Sequence, residues 1–171
     1  MLVEEGMDNV IARHHRLAEG VRRAVRAWGL AICAQDPKTY SGTVTAVLVP
    51  DGKNAAAVID IAFRRYNLAL GGGLGRLAGK VFRIGHVGDL NDLMLLGALS
   101  GVEMALNDAG IPVTLGSGVA AAKRGNRKKR QRSQHGDNQR SASSAPGNHC
   151  HPSASDRRRG AIDRHVRSVI E

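Results

Sequence analysis

Gly71-Gly72-Gly73-Leu74-Gly75-Arg76-Leu77-Ala78-Gly79-Lys80-Val81-Phe82-Arg83-Ile84 carries five glycines into an apolar run. Gly73, Gly75 and Ala78 fit the GxGxxA spacing of a dinucleotide-binding turn. That fingerprint works where a strand leads through the glycines into a helix whose N-terminus faces the pyrophosphate. Here the glycines lead into Lys80–Ile84, whose β-branched and aromatic residues read as a strand. The dinucleotide reading is set aside. The glycines instead allow close backbone approach or left-handed turns.

The elements on either side fit a small α+β layer. Apolar residues recur at three- and four-residue steps from Asp8 to Trp28 (Val10, Ile11, His14, Leu17, Ala18, Val21, Ala24, Val25, Trp28), which predicts a helix ended by Gly29. Arg13, Arg16, Arg22, Arg23 and Arg26 fall mainly on its other side and read as a solvated face. Short strands are expected at Leu30–Ala34 and Thr43–Val49, with Pro50-Asp51-Gly52 as a turn. A second helix is expected from Asn54 to Asn67, with Val58, Ile59, Ala62, Phe63 and Tyr66 inward, then extended chain at Leu68–Leu70. A third helix is expected from Leu90 to Asp108, capped by Asp89. Leu93, Met94, Leu96, Gly97, Val102, Ala105, Leu106 and Ala109 form its buried stripe, and Gly110 and Pro112 end it. The order predicts a small mixed or antiparallel sheet with helices packed on one face.

Charge divides the chain. Residues 1–120 hold 12 Lys and Arg against 11 Asp and Glu, a net of +1, so 13 basic and 4 acidic residues in 121–171 supply +9 of the total +10. Residues 123–160 lack apolar periodicity and cannot offset their ordering entropy by burial, so a disordered basic tail is expected. Lys128, Lys129, Arg130 and Arg132 would hold nucleic acid only non-specifically, because no aromatics interleave them. Cys33 and Cys150 lie far apart and form no disulfide framework or zinc motif, which suits a reducing cytoplasm. No apolar run approaches the ~20 residues of a membrane span, and the N-terminus does not read as a signal peptide.

Few residues carry chemistry. Adjacent His14 and His15 point about 100° apart on a helix and cannot share a metal. His149-Cys150-His151 sits in low-complexity sequence without further ligands and reads as a chance cluster. Arg83 stands out. On a strand it points away from Phe82 and Ile84, and a guanidinium among apolar neighbours needs a partner or water. An internal carboxylate or an exposed edge would satisfy it. So would a substrate carboxylate, gripped by two parallel hydrogen bonds.

Four blocks resemble one family in order along the chain. They are Asp8–Ala18, Lys38-Thr39-Tyr40-Ser41-Gly42-Thr43-Val44-Thr45-Ala46, Tyr66–Gly75 and Gly79-Lys80-Val81-Phe82-Arg83-Ile84-Gly85-His86-Val87-Gly88-Asp89. The family is bacterial serine–glyoxylate aminotransferase, in the class V, alanine–glyoxylate branch of pyridoxal-phosphate transaminases. The resemblance implies a fold-type I homodimer whose small C-terminal domain closes over the substrate. Its R-I-G arginine, here Arg83, would pair with the α-carboxylate of an amino-acid or 2-oxo-acid substrate. The implied reaction moves the amino group of serine, or alanine, to glyoxylate, giving hydroxypyruvate, or pyruvate, and glycine.

The departures are equally specific. Residues 1–122 match the small domain, and its lysines Lys38, Lys53 and Lys80 lie in no segment like the family's cofactor-lysine region. Pyridoxal phosphate therefore belongs to the parent enzyme, with no covalent cofactor, no catalytic residue and no activity expected of this chain alone. Residues 123–171 match nothing in the family, and the abrupt composition change reads as a frameshift-derived tail on a truncated product. Two other functions remain open: a stand-alone carboxylate-binding module using Arg83, and a nucleic-acid binder using the tail.

Overall fold

The computed structural model describes residues 2–124. A short helix α1 (Leu2–Glu5) precedes the long helix α2 (Met7–Ala27), with Gly6 between them at φ 81°. α2 buries Leu17, Ala18, Val21, Ala24 and Val25, as its periodicity predicts, while Ile11 near its start stays half exposed. Gly29 then turns left-handed, φ 73°, so that its N–H reaches Arg26 and that of Leu30 reaches Val25. These bonds satisfy carbonyls that the helix end would otherwise orphan.

The sheet is four-stranded and wholly antiparallel, with strands in the order β1 (Ala31–Ile32), β2 (Val44–Leu48), β4 (Val81–Gly85), β3 (Gly71–Gly72). Two expectations shift here. The first strand shrinks to two paired residues, and the glycines themselves, rather than Leu68–Leu70, form the edge strand. Glycine pairs there because the neighbouring strand carries a long side chain that a Cβ would obstruct.

Helix α3 (Ala55–Tyr66) starts where Asn54 accepts the Ala56 N–H and stops at left-handed Asn67. Its Ala55 N–H bonds to the Gly79 carbonyl at 2.8 Å, fastening it to the loop before β4. Helix α4 spans Asp92–Asp108, and a further helix, α5, covers residues 117–124, where no separate element was expected. The cap of α4 is Asn91, whose side chain accepts the Met94 N–H, not Asp89.

The buried stripe of α4 also differs from expectation. Leu95, Leu99, Val102, Ala105 and Leu106 face inward, whereas Leu93, Met94 and Gly97 are exposed. A helix apolar nearly all round has no sharp face for periodicity to find. Phe63 on α3 likewise points to solvent.

The helices cover one face of the sheet. Val47, Phe82 and Ile84 meet α2, α3 and α4 in one core, with Phe82 and Leu99 fully buried. Each such side chain contributes about 1.5–3 kcal/mol. The opposite sheet face carries only a small cluster of Ala31, Leu48 and Val81, edged by Cys33, Ala46 and Leu77. Among the described residues no helix is long and apolar enough to cross a membrane.

Candidate functional site

Arg83 lies on this second, thinly covered sheet face. The pleat of β4 sends Phe82 and Ile84 into the core and Val81 and Arg83 the other way. Its cross-strand neighbours are Ala46 on β2 and Gly71 on β3, both small. A Cβ at Gly71 would lie 3.1 Å from Arg83 Nε and 3.4 Å from Nη2. The missing side chain is the space that the guanidinium occupies.

Arg83 has no internal carboxylate partner among the described residues, and its Nε is buried without a hydrogen bond. A buried, unused N–H is costly, on the order of 1–3 kcal/mol. Such a group calls for a ligand, an ordered water or a strained setting to account for it. Of the readings left open by the sequence, the internal ion pair is thereby removed.

The chain leaving β4 is pinned from three directions. His86 is fully buried, its Nδ1–H donating to the Gly42 carbonyl at 3.1 Å and its Nε2 meeting the Thr45 hydroxyl at 2.9 Å. Burial, aided by the charge of Arg22, lowers its pKa to about 4, so the ring is neutral. Arg13 Nη1 donates to the carbonyls of Gly88 (2.8 Å) and Leu90 (3.1 Å), while its other nitrogens grip Glu5 at 2.7 Å. That hydrogen-bonded grip holds the Glu5 carboxyl below its usual range. His14 accepts the Gly88 N–H on Nε2 (3.1 Å) and donates from Nδ1 to Val10 (2.7 Å), which fixes its tautomer.

The arginines of α2 are therefore not a plain solvated face. Arg13 and Arg16 reach across to the β4–α4 connection and to Asp92, and Arg22 is buried. His14 and His15 border one open cavity of about 510 Å³ with Val10, Ile11 and Val87, but among the described residues no cluster of metal-ligating groups forms. His149, Cys150, His151 and the basic run at Lys128–Arg132 lie outside the described residues, as does nearly all of the expected disordered tail.

Three features escaped the sequence reading: buried Arg22, buried His86, and Glu103. The Glu103 carboxylate is 2% exposed and accepts N–H bonds from Trp28 (2.8 Å), Gly116 (2.6 Å) and Gly118 (2.7 Å). A lone acid in the apolar run Leu93–Leu106 was the available signal for the last.

Pyridoxal phosphate is held through a Schiff-base lysine. Lys38, Lys53, Lys80 and Lys123 are all exposed, they lie on separate elements, and none borders the cavity beside His14 and His15. No step of a cofactor reaction can be assigned to them.

No family model matches the chain. The serine–glyoxylate aminotransferases of Methylorubrum extorquens and Arabidopsis thaliana are 62% identical over 121 residues and 56% over 122, in each case 71% of this chain and 30% of the relative. An L-aspartate–glyoxylate aminotransferase of Paracoccus denitrificans is 53% identical over 121 residues, 71% of this chain and 31% of its own length. Among solved structures, the pyridoxamine–pyruvate aminotransferase of Mesorhizobium loti superposes with TM-score 0.70 at 34% identity, covering 74% of this chain and 33% of that one. The ureidoglycine–glyoxylate aminotransferase of Bacillus subtilis gives 0.68 at 26% identity, covering 73% and 32%. The chain thus spans about 30% of the length of the curated relatives it matches. Its N-terminal 71% is homologous to a part of these aminotransferases, as the four sequence blocks indicated, and its structural neighbours are class V aminotransferases.

Proposed function

We propose that residues 1–122 act as the small domain of a pyridoxal-phosphate-dependent transaminase that passes the amino group of serine to glyoxylate. Arg83 is the group that holds the substrate α-carboxylate. The observation carrying this reading is its geometry: a half-buried guanidinium on the thinly covered sheet face, without an acidic partner among the described residues, beside a glycine that leaves it room. A planar fork can meet a carboxylate through two parallel N–H···O bonds, fixing both distance and orientation. Such positioning removes the entropy that free reactants would lose on reaching the reacting geometry.

The cofactor and its lysine are assigned to the portion of the relatives that this chain does not span. The pinned segment Gly85–Leu90 keeps the end of β4, and so Arg83, from shifting. A cytoplasmic homodimer is the setting this reading implies, and residues 123–171 take no part in it.

A chimera tests the reading. The matched 121 residues of the Methylorubrum extorquens enzyme are replaced by those of this chain, and serine-dependent conversion of glyoxylate to glycine is measured. Transfer supports the assignment. A folded, cofactor-loaded chimera without transfer removes it.

A further inference from the structure

A second arginine has the features of a ligand anchor, away from Arg83. Arg22 on α2 is 8% exposed and borders a cavity of about 140 Å³, together with Ile32, Ala34, Tyr40, Val44 and Ala46. A guanidinium has five N–H groups. Two of them have partners here: Nε reaches Glu19 at 3.2 Å, and Nη1 reaches the Ser41 carbonyl at 3.4 Å, long for such a bond. The Tyr40 ring lies 5.1 Å from the guanidinium carbon, covering it by cation–π contact.

Charge is not balanced at this place. Glu19 is shared by Arg22, Arg23 and Arg26, so one carboxylate faces three guanidinium groups and two positive charges are left over. Three donors of a nearly buried arginine thus remain for a ligand, beside an open space.

We propose that this cavity is a binding site for a short organic carboxylate, with Arg22 as its anchor. The wall chemistry selects the class. Three of the four hydroxyls in the lining are engaged already: Thr39 with Asp36, Ser41 with Thr43, and Thr45 with His86; the fourth is the Tyr40 phenol, whose ring lies on the guanidinium. Past the guanidinium, the Tyr40 phenol and these engaged hydroxyls, the wall is Ile32, Ala34, Val44 and Ala46. An inorganic oxyanion would press its remaining oxygens on hydrocarbon and lose hydration without return. A carboxylate with an aliphatic body places its oxygens on Arg22 and its carbons on the wall.

The site is separate from the proposed substrate arginine. Arg83 does not border the cavity, although Ala46 in its wall is the cross-strand neighbour of Arg83.

The charge of Arg22 gives the test its readout. That charge helps to keep His86 neutral, so an anion on Arg22 makes His86 easier to protonate. The full 171-residue chain is titrated with acetate, propionate, butyrate, phosphate and chloride at constant ionic strength. The His86 ring and the Arg22 side chain are followed by NMR. Saturable shifts of both groups with propionate or butyrate, an upward move of the His86 titration point, and at least tenfold weaker binding of phosphate and chloride are expected. Arg22→Gln abolishes the response. Because that change can disturb folding, Ala34→Leu, which fills the cavity and leaves the arginine intact, is the second variant; it lowers affinity at least tenfold with an unchanged melting temperature. A linear response equal for all anions, phosphate binding as tight as propionate, or binding that survives Ala34→Leu overturns the proposal.

Discussion

Gly71 and Arg83 face each other across the β3–β4 ladder, and the guanidinium stem fills the space that a side chain at residue 71 would take. Gly71→Ala places a Cβ within 3.1–3.3 Å of Arg83 Nε and Cβ, so one strand or the arginine has to give. The backbone at residue 71 is not left-handed, so crowding is the only penalty. A loss of about 1 kcal/mol in urea unfolding is expected, typical of slight overpacking. In the chimera the same change raises the KM for serine. An unaltered KM would mean that the arginine's setting does not matter for substrate.

Among the described residues Glu103 is the one buried carboxylate, and it organises two segments. Its oxygens collect the Trp28 indole N–H and the backbone N–H groups of Gly116 and Gly118, where α5 begins. Glu103→Gln removes the charge and turns an NH2 group toward at least one of these donors. A loss of roughly 2–4 kcal/mol is expected, as when one partner of a buried charged network is removed. Denaturant unfolding with Trp28 fluorescence measures it. Gly118→Ala disturbs the same cluster, since its Cβ would fall 2.4 Å from the indole nitrogen.

His86 gives the fold a defined acid sensitivity. Its pKa falls from 6.5 to about 4 on folding, so between these values the unfolded chain binds the proton and the native chain does not. Stability therefore rises with pH across that window and is lost as pH falls from about 6.5 towards 4. The whole difference is worth about 3 kcal/mol at most. His86→Asn should flatten the stability profile between pH 4 and 6.5 relative to the unaltered chain. Parallel profiles would show that the ring does not titrate as its burial requires.

Arg13 ties the chain after β4 to the long helix through Gly88 and Leu90. Arg13→Ala frees two carbonyls and releases Glu5. Faster amide hydrogen exchange at residues 86–90 is expected, with exchange in the middle of α4 unaltered. Equal exchange in both proteins would mean that His14 and His86 alone hold the segment.

The helices were legible because their signals are local: Gly29 and Gly110 end α2 and α4 with the same pair of reversed backbone bonds. Arg83 was legible as well, as a charge in an apolar strand. What pairs with it was not, since only the antiparallel register brings Gly71 beside it. The inward face of α4 was hidden by residues apolar on every side, and Asn91 took the cap from Asp89 because its own side chain reaches the Met94 N–H. Arg22 was assigned to solvent because a helix face reveals nothing of the loop that later folds over it. Tyr40 and Ser41, 18 and 19 residues onward, form that cover.

If Arg83 holds the carboxylate of the amino-acid substrate, Arg83→Lys in the chimera must weaken serine binding. Lysine keeps the charge but not the two-point fork. A KM for serine at least tenfold higher is expected, with cofactor loading and melting temperature unaltered. An unchanged KM in a fully loaded, folded chimera would contradict it.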